Sequence, residues 1–153
     1  LRIFLKSLAA VAVLGAAPAL AQGAAAFMAE AEAALARGDR LGAMHLYQSA
    51  LIQAPATVAP TLALADFHFA GSEWQLARKY YAAVVEMDPA NLDALKGLGL
   101  SAVALGDAAT AQIQHDILVE VCGPACAEAA VLGQALAALP PAPDTAADEP
   151  PPT

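Results

Sequence analysis

The 153-residue chain is poor in aromatic residues, with one Trp, three Tyr and four Phe. It also has no long β-branched or aromatic alternation of the kind that marks strands, which argues against a sheet protein. Positive charge is scarce, at 7 Lys and Arg against 15 Asp and Glu. No basic patch can therefore follow a phosphate backbone or an anionic membrane surface, so nucleic acid is excluded as a partner. The sequence has no Ser-His-Asp spacing, glycine-rich phosphate loop or paired-carboxylate motif, which points away from an enzyme. Only two cysteines occur, too few for a disulfide scaffold. What the chain has in quantity is alanine, 43 residues, the best helix former and small enough to let helices approach closely. An all-α fold follows.

Residues 1–21 read as a secretory leader. Arg2 and Lys6 form a positive start, Leu8 to Leu14 is an apolar stretch, Pro18 is expected to break the helix, and Ala19-Leu20-Ala21 is the small-x-small pattern before a cleavage site. The expected cut lies between Ala21 and Gln22. The uncharged stretch Ser7 to Ala21 is 15 residues, short of the roughly 20 that span a bilayer, so no stable membrane insertion is expected after cleavage. Leu1 in place of methionine suggests a non-ATG start or a slightly shortened sequence. Neither a twin arginine nor a lipidation cysteine is present, so the leader predicts export of an unfolded chain to a periplasm or the exterior. Without Arg2 and Lys6 the balance is 5 basic against 15 acidic residues, a net charge of about −10.

Sliding the sequence against itself exposes a period of 34 residues. Gly38, Ser72 and Gly106 align, followed by Asp39, Glu73 and Asp107, then Ala43, Ala77 and Ala111. Tyr47 and Tyr81 match, with His115 in the third copy; Pro55 and Pro89 match, with Gly123 in the third. Ala31, Ala65 and Gly99 align upstream. Small residues are expected where paired helices cross, and the tyrosines as knobs between helices. Asp39, Ser72, Asp107 and Asn91 are the expected N-caps, and Pro55 and Pro89 close the second helices. The expected helices are 24–36, 40–53, 58–70, 74–87, 92–104 and 108–121. A seventh, 125–139, carries Ala129, Leu132, Leu136 and Leu139 at helical spacing and would cap the array. Residues 140–153 are Pro-rich and acidic, and are expected to form a disordered tail.

This pattern resembles the tetratricopeptide repeat (TPR) family from about Ala24 to Ala125. The resemblance implies three helix-turn-helix repeats, about 24–57, 58–91 and 92–125, in a right-handed α-solenoid, with the capping helix behind them. It also implies a concave groove lined by the first helix of each pair that takes a peptide or helix. The groove positions are Met28, Glu32 and Leu35, then Leu62, Asp66 and Phe69, then Asp93, Lys96, Leu100 and Val103. Co-chaperone members grip a carboxylate with lysines, an arginine and asparagines, whereas Met28, Ala29 and Glu32 stand where such a clamp would begin. The function expected is therefore a non-enzymatic scaffold or adaptor of the cell envelope, with an apolar, faintly acidic groove and no cofactor. Self-association through the open start of the array is a further expectation.

Cys122 and Cys126 flank Gly123-Pro124-Ala125 at the end of the third repeat. In an oxidising compartment a structural disulfide is expected. The alternative is a thiol or copper carrier in which Cys122, Cys126 and His115 hold the metal, since two thiolates and an imidazole suit copper(I). His115 is otherwise a packing residue at the tyrosine position, His68 a core residue and His45 an exposed one.

Overall fold

The computed structural model describes residues 16–140, and of residues 16–21 the backbone alone. The expected leader sequence up to residue 15 and the tail from residue 141 lie outside the described residues. Among the described residues the chain forms seven helices and no strand. They are α1 (Ala16–Ala36), α2 (Arg40–Gln53), α3 (Val58–Ala70), α4 (Trp74–Met87), α5 (Leu92–Ala104), α6 (Ala108–Cys122) and α7 (Ala127–Ala137). Each odd helix packs along the even helix after it, α3 and α5 touch across the array, and α7 closes the end against both α5 and α6. The fold is an all-α solenoid of three helix pairs and a cap.

The turn inside each pair follows from one backbone requirement. Gly38, Ser72 and Gly106 all take positive φ, 80°, 58° and 75°, and the residue after each donates to a carbonyl five residues back: Asp39 to Ala34, Glu73 to His68, Asp107 to Ala102. Only glycine enters this left-handed region without a Cβ penalty. Ser72 is therefore the reversing residue and not the expected N-cap. The cap position of α4 is Glu73, which makes no capping hydrogen bond. Asp39, Asp107 and Asn91 do cap as expected, accepting from the backbone N–H of Gly42, Thr110 and Ala94 at 2.8, 3.0 and 3.0 Å.

Small residues mark the crossings: Ala31, Ala43, Ala65, Ala77 and Ala111 are fully buried. Tyr47 packs edge-on to Phe67, and Tyr81 to Phe69, with ring centroids 6.0 and 6.2 Å apart. Three core clusters result, centred on Leu64, on Val84 and on Leu95 with Leu118 and Leu132. Two glycines are set by close approach instead of by φ. A Cβ on Gly97 would overlap the Tyr81 ring, with three ring atoms within 2.6 Å, and one on Gly99 would collide with the Leu132 methyl groups of α7.

Three expectations are corrected. Helix α1 starts at Ala16, with Pro18 inside it; proline fits the first turn because those N–H groups have no helical partner. The third repeat departs from the other two at one buried position. α2 buries Ala43, Tyr47 and Ala50, and α4 buries Ala77, Tyr81 and Val84, whereas α6 buries Ala111, Gln114 and Leu118. His115 is consequently only half-buried, against Gly133 of α7, and its Nδ1 has no hydrogen-bond partner. The cap is also shorter than expected, Ala127–Ala137, because residues 123–126 are spent on the turn.

Candidate functional site

The inner face of α1, α3 and α5 carries three exposed carboxylates, Glu32, Asp66 and Asp93, and one half-buried lysine, Lys96. Lys96 is already engaged, donating to Asp93 at 2.7 Å. A cavity of about 340 Å³ opens between the first two repeats, lined by Glu32, Leu35, Tyr47, Ala63, Asp66 and Phe67 among others. Of the groove residues read from the sequence, Glu32, Leu35 and Asp66 meet at this cavity.

Asp66 is the pivot of the face. It accepts a hydrogen bond from the Tyr81 hydroxyl at 2.6 Å, so the knob of the second repeat also places a groove carboxylate. Desolvation raises the Asp66 pKa above the ordinary 3.8, assisted by Asp93; the Tyr81 bond and Lys96 act in the opposite direction. The Tyr81 phenol is pushed well above its usual 10.0 by burial and then by Asp66. Tyr47 is raised for the same kind of reason, by burial and then by Glu32 and Asp66. Burial is the first cause of all three shifts, and the neighbouring carboxylates add to it, in the sense that disfavours further negative charge there.

The apolar groove residues are more committed to packing. Met28 packs on the first core cluster and borders a separate apolar cleft of about 190 Å³ with Ala24, Ala54 and Pro60. Leu62 and Phe69 pack on the second cluster, and Leu100 and Val103 on the third. Phe69 also meets Trp74 edge-on at 5.1 Å.

In the wall of the cavity, which Arg40 and Phe67 also line, stands a cluster that the spacing alone did not reveal. Arg40 lies over the Phe67 ring at 4.1 Å and donates to Glu73 at 3.3 Å and to the Phe67 carbonyl at 3.3 Å. Glu73 also engages Nδ1 of buried His68, whose ring stacks on Tyr80 at 5.3 Å. The His68 bond, followed by Arg40, lowers the Glu73 pKa below the ordinary 4.5. The cluster joins both helices of repeat two to the start of α2. A sequence signal existed, since Glu73 stands where the other repeats have a capping aspartate.

At the far end, the Cys122 and Cys126 sulfurs stand at disulfide-bonding distance, with Cα atoms 5.9 Å apart. Gly123 at φ 88° makes the reversal that lets them meet. His115 does not join them. It lies seven residues before Cys122 on α6, about 10 Å along the axis, and it packs on Gly133. The third donor beside the sulfurs is Glu128.

No family model and no curated protein matches the sequence. Solved structures do match. The first TPR of Spaghetti (RPAP3), bound to the HSP90 peptide SRMEEVD, is 19% identical with a TM-score of 0.67, over 76% of this chain and 95% of that one. The Arabidopsis OM64 TPR domain is 16% identical with a TM-score of 0.68, over 77% of this chain and 97% of that one. The Sgt2 TPR domain from Aspergillus fumigatus is 24% identical with a TM-score of 0.64, over 74% of each chain. At such identities the likeness is one of fold. The chain has a TPR-like fold, an all-α solenoid of helical repeats.

Proposed function

We propose that this chain is a non-enzymatic protein-interaction module of the bacterial cell envelope, holding an apolar, basic-flanked segment of a partner protein in its concave face. The observation that carries this reading is the set Glu32, Asp66 and Asp93 on that face, where the neighbouring cations are already paired, Lys96 with Asp93 and Arg40, at the cavity wall, with Glu73. The RPAP3 domain of similar fold holds the peptide SRMEEVD, which carries three acidic residues. A face bearing three carboxylates repels such a peptide and favours one of opposite sign, because complementary potentials select partners and like charges reject them. The envelope location rests on the leader pattern of residues 1–21. A disulfide between Cys122 and Cys126, which we also propose, fits an oxidising compartment.

The test is binding of fluorescent apolar helical peptides that differ only in their flanks, Lys and Arg against Glu and Asp. The basic-flanked peptide is expected to bind more tightly, with affinity falling as salt rises. The double variant Glu32→Lys/Asp66→Lys is expected to reverse the preference. No preference in the native chain, or an unaltered one in the variant, would sink the groove reading. Mass spectrometry of the protein from a bacterial periplasm is expected to find a chain starting at Gln22; an intact leader in the cytoplasm would refute the location.

A further inference from the structure

The turn between α6 and α7 gathers three side chains that the concave face does not use. Cys122 ends α6, Cys126 is the N-cap residue of α7, and Glu128 lies in the first turn of α7. The two sulfurs and a Glu128 carboxylate oxygen all lie within 4.8 Å of one another, and all three residues are half-buried. We propose that the reduced form of this turn is a zinc site, with Cys122, Cys126 and Glu128 as its three protein ligands, and that the disulfide is its closed, metal-free form.

The donor set selects the metal. Two thiolates alone suit copper(I), but a carboxylate oxygen is a hard ligand that copper(I) disfavours and that Zn²⁺ accepts beside sulfur. An imidazole from His115 would have suited zinc and copper alike; Glu128 in its place disfavours copper(I). Three protein ligands leave the fourth tetrahedral position to water or a ligand group. A tetrahedral site with Zn–S of about 2.3 Å needs the sulfurs about 3.8 Å apart. Cα atoms 5.9 Å apart allow this by side-chain rotation alone.

The surrounding backbone favours the same state. Thiolate and carboxylate both stand at the start of α7, an 11-residue helix, where unpaired N–H groups stabilise negative charge and assist thiol ionisation. The reversal at Gly123, φ 88°, keeps the two cysteines facing each other whether or not they are bonded. Neither the disulfide nor the zinc form asks the helices to move.

The chemistry balances in two steps. An exported dithiol reductant gives up two electrons and two protons: its sulfurs become a disulfide, and the Cys122–Cys126 bond becomes two thiols. Zn²⁺ then replaces those two thiol protons, which pass to solvent, and Glu128 binds as the carboxylate. Oxidation by a disulfide donor reverses the sequence and releases the metal.

The test uses the full chain, with a phosphine reductant in place of the dithiol and Zn²⁺ titrated against a chromophoric chelator. The reduced chain is expected to bind one Zn²⁺ and the oxidised chain none. With cobalt(II) as the probe, thiolate-to-metal charge-transfer absorption is expected in the reduced chain alone. Cys122→Ser or Cys126→Ser should remove stoichiometric binding, Glu128→Gln should weaken it at least tenfold, and His115→Ala should leave it unchanged, with circular dichroism verifying the fold of each. A reduced chain without stoichiometric zinc, wild-type affinity in Glu128→Gln, or equal binding by the oxidised chain would overturn the proposal.

Discussion

Gly97→Ala sets two opposing effects of known size against each other at one atom. In an exposed helix the change is favourable, since alanine exceeds glycine by about 1 kcal/mol in helix propensity. Position 97 lies in the middle of α5 and is buried against the Tyr81 ring. Three ring atoms lie within 2.6 Å of where the new Cβ would stand, against the roughly 3.5–4.0 Å of a normal carbon contact. The ring must retreat by about 1 Å, and it is rigid, wedged by Phe69 and tethered by its hydroxyl to Asp66. Overpacking of this kind costs about 1–3 kcal/mol, and a hydrogen bond to a charged group adds about 1.5–3 kcal/mol if it is lost. The unfavourable terms win, for a net loss of about 1–3 kcal/mol. For roughly 120 ordered residues at about 2.1 cal/mol/K each, that lowers Tm by about 4–12 °C. Thermal melts by circular dichroism read it directly. Tyr81→Phe keeps the clash and removes the tether, so the double variant should lose less than the two single losses combined. Gly23→Ala is the control, because the group it would meet is the end of the Gln53 side chain, at 3.3 Å, which can swing aside. A Gly97→Ala protein as stable as the parent would refute the close approach of α5 to Tyr81.

Ser72→Gly should stabilise the chain by about 0.5–1 kcal/mol, because it removes a side chain from φ 58° in a turn that glycine fills in the other repeats; urea midpoints measure it, and a loss would show that the serine hydroxyl matters more than its backbone. The Glu73 pKa is depressed in the folded chain, so its contacts with His68 and Arg40 contribute stability above the unfolded carboxylate pKa and lose it as pH falls through the lowered folded value. Urea midpoints followed from about pH 6 to pH 3 should therefore fall less steeply in Glu73→Gln, and an identical slope would refute the linkage. Asp66 has the opposite sign: its raised pKa means that the charged form opposes folding at neutral pH. Asp66→Asn, which still accepts from Tyr81, is expected to melt at or above the parent temperature while binding basic-flanked peptides more weakly. A lower melting temperature would refute the dehydration argument. Thiol titration of the denatured, unreduced chain should find no free thiol; two would refute the disulfide.

Helices α2 to α5 begin and end where the 34-residue period places them, at 40–53, 58–70, 74–87 and 92–104. Their boundaries are local physics, and a local pattern suffices to read them. A left-handed turn residue, a capping Asp or Asn, and a proline two residues past the helix end each act within a few residues of chain. The buried alanines were legible for the same reason, since the small residue recurs at each crossing. The acidic residues of the first helices were legible in the sequence, but not what holds them in place. Glu32, Asp66 and Asp93 lie on the first helices as the repeat implies, yet it is Tyr81, from a different helix, that places Asp66.

Only the tertiary structure decided the rest, because those features depend on pairs far apart in the chain. Serine at position 72 takes the glycine conformation because the packed turn imposes it. Glu73 leaves its capping role because Arg40, from the preceding repeat, and His68 compete for its oxygens. In the third repeat, where α7 packs against α6, Gln114 is buried in place of His115. The Gly123 reversal determines which side chain lies beside the cysteines. The sequence alone named the cysteine pair and the envelope compartment that its leader predicts; the fold replaced His115 with Glu128 beside it, since seven residues of helix carry a side chain two turns away while a chain reversal returns one to contact.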